Sequence, residues 1–239
     1  MRTQQPSPPV KAVLFDLDDT LWPIGPVIAR AEITLHAWLA THAPKVAQQF
    51  SIDTLRQRRL ALLEREPAYR NDLGELRRAG LLEAFAASGE DSAKVACAMS
   101  HFFAARNAVT IYDDVLPALL RLNARMLVGS ISNGNADLHA IGLAQHFQVS
   151  LAASQIGHAK PDAAIFHAAC DQLGVAPRET VYVGDDLWLD VDGAQRAGLR
   201  AVWLNRGAST AHLATAIRPD AICATLDELI DWLSAPTQE

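Results

Sequence analysis

The sequence predicts an α/β protein: a doubly wound, Rossmann-like parallel sheet interrupted by an inserted all-helical cap domain. Three observations predict it. A short apolar run, 11–15, reads as a buried strand. From Trp22 to about Thr110 the apolar residues fall at helical spacing, with no convincing strand. From Asp113 onward strand-like and helix-like segments alternate, the signature of a parallel sheet with helices on both faces. The organisation that follows is a flexible terminus over 1–10, an α/β core formed by 11–23 and 110–239, and a helical cap over 24–109.

Each element has a local reason. After the first strand, Pro23 breaks the chain, and 27–41 carries a helical stripe that Pro44 closes. Ser51 is a helix cap for 51–66, where Leu55, Leu60, Leu62 and Leu63 supply the apolar face and Pro67 follows. Segments 72–87 and 92–106 complete the cap. In the core, the helix-like DDVLPALLRLNA precedes the strand MLVGSIS, and a helix after Asn135 leads to a strand at 149–153. Helix 162–173, strand TVYVG, helix 191–197, strand RAVWL, strand DAICA and helix 227–233 follow. The first strand belongs to this sheet but is separated from it by the cap.

Composition narrows the class. The chain has 239 residues, half of them hydrophobic and a fifth charged, the profile of a globular protein with a real core. A net charge of −6 argues against binding a nucleic acid polymer. MRTQQPSPPV has consecutive prolines and no apolar h-region, so no secretory leader is expected. No apolar run reaches the roughly 18 residues of a membrane span, and a cytoplasmic protein is expected. Cys97, Cys170 and Cys223 lack the close spacing of zinc sites and read as small core residues. Oligomeric state is left open.

Open α/β sheets bind ligands at the carboxyl ends of their strands. Those ends carry Asp16, Asp18 and Thr20; then Ser132, Asn133 and Gly134; then Lys160; then Asp185 and Asp186, with Asp190 a helical turn on. Singly, each is ordinary turn or helix-start chemistry. Together they place one cation among many acids, which suits phosphoryl transfer. A carboxylate can act as nucleophile and split one hard hydrolysis into two easier steps. An anion attacking a phosphate needs a cation, and Mg²⁺, a hard ion usually held by one or two carboxylates, is the expected cofactor. Asp16 and Asp185 can supply those carboxylates. Lys160, Ser132 and the Asn133 backbone N–H can hold phosphoryl oxygens. Asp16 is the expected nucleophile and Asp18 the acid/base that protonates a leaving alcohol. Asp19 is expected only to shape the turn.

In order, DLDDT, SNG, the Lys160–Pro161 pair and GDDLWLD resemble the four motifs of the haloacid dehalogenase-like hydrolase superfamily, over 11 to about 205. The helical insert resembles the C1 cap of its phosphatase branch. That resemblance implies Mg²⁺ bound by Asp16, Asp185 and the Asp18 backbone carbonyl, with Asp186 and Asp190 ordering metal-bound water or the nearby loop. The dehalogenases of the superfamily lack an acid at the position of Asp18 and use no metal, so Asp18 favours a phosphatase. DLDDTLW, SNGNA and GDDLWLDVDGAQRAG also resemble bacterial phosphatases that act on 5-amino-6-(5-phospho-D-ribitylamino)uracil and on flavin mononucleotide. The expected partner is therefore a small phosphate monoester, with sugar-phosphate, phosphoglycolate and nucleotide phosphatases as alternatives. A non-catalytic module of the same fold is disfavoured by retention of the nucleophile, the acid and the lysine. Trp22 and Trp188 are read as residues packing cap against core, with stacking on a flat pyrimidine or flavin ring as the alternative; Arg70, Arg77 and Arg78 as solvated cap residues, with reach towards an anionic substrate as the alternative; and His158 as a loop residue.

Overall fold

A computed structural model describes residues 9–207 and 215–235, so most of the 1–10 terminus lies outside the described residues. The chain divides into two units: 1–22, 111–132 and 143–239 form the first, and 23–110 with 133–142 form the second.

Among the described residues of the first unit, six parallel strands are ordered β3-β2-β1-β4-β5-β6. They are β1 (Ala12–Phe15), β2 (Leu127–Ser132), β3 (Val149–Ala152), β4 (Thr180–Gly184), β5 (Arg200–Leu204) and β6 (Ala221–Cys223). The chain builds outward from β1 through β2 to β3, then returns to the other side of β1 for β4 to β6. β1 is therefore the switch point, pairing Phe15 with Ser130 on one side and with Val183 on the other. A strand flanked on both edges and covered on both faces has no polar side, which is why all four residues of AVLF are buried.

One face of the sheet packs Leu14, Ile131, Tyr182 and Trp203 against Ile165, Phe166 and Ala169. Gly129 belongs on this face: a Cβ there would lie 2.6 Å from Leu14 Cδ2. The unit's helices Val115–Asn123, with Val115, Ala118, Leu119 and Leu122 buried, and Leu226–Ser234, with Leu226, Leu229 and Ile230 buried, are amphipathic at the same spacing.

The second unit is helical: α1 (Ile24–His42), α2 (Pro44–Gln49), α3 (Ile52–Arg65), α4 (Leu73–Ser88) and α5 (Val95–Arg106), followed later in the chain by the short α6 (Leu138–Ile141). Its core joins Leu35, Trp38, Leu39, Phe50, Phe85 and Phe102. Ser51 caps α3 by accepting from Thr54 N at 3.1 Å, and Asp72 caps α4 by accepting from Glu75 N at 2.9 Å.

Three local expectations change. Pro44 ends α1 but also starts α2, because a proline at the first helical position gives up an N–H that would be unpaired anyway. The helix after Asn135 is a single turn, stopped by Gly142 at φ 83°. The helix expected over 191–197 is a π-helical turn, Leu187–Asp192, running into Gly193–Arg196. Cys97 is exposed, while Cys170 and Cys223 are buried as expected. Among the described residues no helix is long and apolar enough to cross a membrane.

Candidate active site

Asp16 follows β1 directly, its N–H donating to Val183 O at 2.8 Å, so the central strand sets its position. The chain then turns sharply. Asp19 adopts φ 61°, a left-handed conformation that aspartate tolerates better than most residues, and its N–H donates to Trp22 O at 2.7 Å. Asp19 thus has the turn-shaping place expected of it. Trp22 is wholly buried, and its Nε1–H donates to Asp18 Oδ1 at 2.8 Å. The indole orients the second acid of the motif.

Lys160 sits at the centre, 5% exposed. Its Nζ donates to Asp16 Oδ1, to Asp190 Oδ1 at 2.6 Å and to the Tyr182 hydroxyl at 3.0 Å. Tyr182 in turn donates to Ile131 O at 3.2 Å. A buried charge survives only when paired and hydrogen-bonded, and here the ammonium has two carboxylates and a phenol. Asp190 is held by its other oxygen, which accepts from Asp186 N at 3.0 Å. This contact requires Gly184, because a Cβ there would fall 2.3 Å from Asp190 Oδ2. Asp186 caps the π-helical turn by accepting from Trp188 N and Leu189 N, both at 2.8 Å.

Asp185 is fixed from two sides. Thr20 Oγ1 donates to its Oδ1 at 3.1 Å, and Trp203 Nε1 donates to its backbone carbonyl at 2.7 Å. A cavity of about 620 Å³ opens beside it, bordered also by Tyr112, Trp188 and Arg206.

The electrostatics follow from burial. Desolvation pushes the Asp16 carboxyl well above its ordinary value, with Asp190 and Asp185 adding to the rise and Lys160 opposing it. Burial alone would lower Lys160, but Asp16 and Asp190 outweigh it and hold the ammonium protonated, above its usual range. Asp185 is raised to about 7, chiefly by burial and then by Asp190. One ammonium thus faces three carboxylates. Asp16, Asp185 and Asp190 each offer an oxygen, and these oxygens lie within 4.8 Å of one another. An all-oxygen donor set suits a hard cation such as Mg²⁺. With Asp190 engaged by Lys160 and Asp186 N, the donors best placed to serve a cation are Asp16 and Asp185.

The structure therefore gathers Asp16, Lys160 and Asp185 in one place, with Asp18 on the adjoining turn and Ser132 buried at the end of β2. Asn133 begins the segment grouped with the helical unit. Asp190 is more than a loop-ordering acid, since it shares Lys160 with Asp16. Tyr182 was not anticipated: in TVYVG it reads as one more buried strand residue, and its hydroxyl contact spans 22 positions of sequence. Trp188 is 56% exposed, with the Arg196 guanidinium 5.0 Å from its ring centre. Arg77 is not solvated but buried in the helical unit, whereas Arg78 is exposed and pairs with Glu75. His158 is an exposed loop residue paired with Asp162 at 2.8 Å.

Fold and site together define an α/β enzyme whose acidic, lysine-held centre lies at the switch point of a parallel sheet. The family model for haloacid dehalogenase-like hydrolases matches residues 10–198, and the chain belongs to that family. It is 32% identical over 208 residues to the 5-amino-6-(5-phospho-D-ribitylamino)uracil phosphatase YigB of Escherichia coli (strain K12), covering 85% of this chain and 87% of that protein. It is 30% identical over 213 residues to the glyceraldehyde 3-phosphate phosphatase of Methanopyrus kandleri, covering 83% of this chain and 85% of that protein. Among solved structures, a 2-haloacid dehalogenase from Pseudomonas syringae pv. Tomato DC3000 matches with a TM-score of 0.88 at 36% identity, over 94% of this chain and 98% of that one. Within the family, the chain is a phosphatase by class.

Proposed function

We propose that the protein is a Mg²⁺-dependent cytoplasmic phosphatase that hydrolyses a small phosphate monoester through an aspartyl-phosphate on Asp16. The observation that carries this is the pairing of Asp16, held by Lys160 beside Asp185, with a retained Asp18 oriented by Trp22. An Asp16 carboxylate oxygen attacks phosphorus as the ester P–O bond breaks, and Asp18 gives its proton to the leaving alcohol. Asp18 then takes a proton from water, whose oxygen attacks the same phosphorus, releasing inorganic phosphate and restoring Asp16. Lys160, the Ser132 hydroxyl and the Asn133 N–H hold the phosphoryl oxygens. Asp16, Asp185 and the Asp18 carbonyl would hold Mg²⁺, which offsets the negative charge of carboxylate and phosphate when bound.

For substrate, the likeness to YigB over most of both chains supports 5-amino-6-(5-phospho-D-ribitylamino)uracil or flavin mononucleotide. A panel adding phosphoglycolate, sugar phosphates and nucleoside monophosphates, compared by kcat/KM, tests this. Flavin-pathway compounds ranking no higher than the rest would leave a generic phosphatase. The likeness to a protein named as a dehalogenase supports a second reading, haloacid dehalogenation. Halide release from a 2-haloacid without phosphate release from any ester would establish that reading over ours.

A further inference from the structure

Arg206, in the loop after β5, has no place in the mechanism above, yet each of its guanidinium nitrogens donates a hydrogen bond. Its Nε donates to the backbone carbonyl of Thr20 at 2.9 Å. Its Nη1 and Nη2 each donate to Asp114 at 3.0 Å, a bidentate fork. Its guanidinium lies 4.1 Å from the centre of the Tyr112 ring. Asp114 is itself fixed, accepting from Leu226 N at 2.8 Å. A planar guanidinium donating from all three of its nitrogens is a rigid strut, and a lysine could not reproduce the fork.

What the strut braces is the residue that orients Asp185. The Thr20 carbonyl is held from one side by Arg206, and the Thr20 hydroxyl donates to Asp185 Oδ1 at 3.1 Å. Thr20 sits in the tight turn that also carries Asp18 and the left-handed Asp19, so its hydroxyl direction depends on where the carbonyl is pinned. We propose that Arg206, with Asp114, is a positioning residue that sets the Asp185 carboxylate for divalent-cation binding by fixing the backbone at Thr20. Partners one contact removed from a metal ligand govern affinity through orientation, commonly by about 10- to 100-fold. The inference rests on the reading of Asp185 as a metal ligand.

The test is a double-mutant cycle of Arg206→Gln and Thr20→Val, read by Mg²⁺ titration calorimetry and by the Mg²⁺ concentration that half-activates hydrolysis of para-nitrophenyl phosphate. Each single variant is expected to weaken Mg²⁺ by about 10-fold. The double variant is expected to match the singles rather than reach about 100-fold, because both act through one hydroxyl. Unchanged Mg²⁺ affinity in Arg206→Gln, or full additivity in the double variant, would overturn the inference. A merely structural arginine would lower thermal stability while adding independently to Thr20→Val. Where Arg206→Gln does not fold, Asp114→Asn, which opens the fork that aims the Arg206 Nε at the Thr20 carbonyl, replaces it in the same cycle. Weakened, non-additive Mg²⁺ binding then supports the inference, and unchanged affinity or full additivity overturns it. A wild type that binds no Mg²⁺ and releases no phosphate would instead refute the phosphatase reading on which the inference stands.

Discussion

The two units each bury a charge cluster, and the two are built with opposite signs. In the helical unit, Glu32 Oε1 accepts from Arg59 at 2.6 Å and from Arg77 at 2.8 Å. Cations outnumber the acid, and the excess is met within the unit, with the Arg77 guanidinium 3.5 Å from the centre of the Phe102 ring. Burial pulls Arg77 down to about 10, which still leaves it charged near neutrality. In the sheet unit the acids outnumber the cation: Lys160 is shared by Asp16 and Asp190, with Asp185 close by. An aromatic face attracts cations and gives no such help to surplus carboxylates. The first cluster meets its surplus guanidinium with an aromatic face and reads as architecture. The second keeps a surplus of acidic groups beside a cavity, an all-oxygen donor set of the kind a hard cation could use.

The comparison breaks most sharply on function. Asp16→Asn is expected to lower kcat for para-nitrophenyl phosphate by at least about a thousand-fold while the protein stays folded, because it removes a nucleophile and not a side chain's volume. Glu32→Gln is expected to leave kcat within about three-fold and to act on stability instead. Breaking a buried ion pair from one side costs about 3–5 kcal/mol, since the partner charges stay buried. Denaturant melts together with steady-state rates separate the two outcomes. If Asp16→Asn retained more than a trace of activity, or Glu32→Gln lost it wholesale while folded, the functional and architectural assignments would have to be exchanged.

A smaller effect sharpens the acidic side. Asp185 has its folded pKa raised from 3.8 to about 7. A raised acid contributes stability that is complete below the unfolded pKa and is lost as pH rises through the folded one. Metal-free protein is thus expected to melt progressively lower as pH climbs from about 4 to about 7, for this group's part. Mg²⁺ competes with that proton, so its stabilising effect should be weak near pH 5 and grow through pH 7. Thermal melts with chelator and with Mg²⁺ across that range measure both trends. Asp185→Asn should flatten them, and an unchanged profile in that variant would show that Asp185 drives neither trend.

Legibility in the sequence divides along the same physical line. The strands were readable because β1 and β4 are buried on both faces, leaving continuous apolar runs. The acids at their ends were readable because strand ends are where a doubly wound sheet exposes chemistry. Asp16, Lys160 and Asp185 each follow such a run or sit in a loop of the same kind. Tyr182, Arg206 and Arg77 were not readable in their roles. Each lies within an ordinary local pattern, a buried strand residue, a loop cation and a helix arginine, and acquires its role from a partner 22, 92 or 45 positions away. Trp22 is intermediate. Its partner Asp18 is only four residues off, but the left-handed turn at Asp19 that brings them together has no unique sequence signal.

The smallest expected effect tests whether pairing or burial gives the helical cluster its weight. Arg78 lies one residue from Arg77 and makes a closer ion pair, 2.5 Å to Glu75, than Arg77 makes to Glu32 at 2.8 Å. Its side chain is 50% exposed, whereas that of Arg77 is 11% exposed. In water the attraction is screened, and holding two long side chains together costs rotamer freedom, so such pairs contribute little whatever their length. Arg78→Ala is expected to shift the melting temperature by less than about 1 °C, and to shift it less still in high salt. Arg77→Ala removes a buried partner of Glu32 and a filled space over Phe102, and should cost several times more. Equal shifts for these two neighbours would mean that contact distance, and not desolvation, sets the strength of the helical unit's charges.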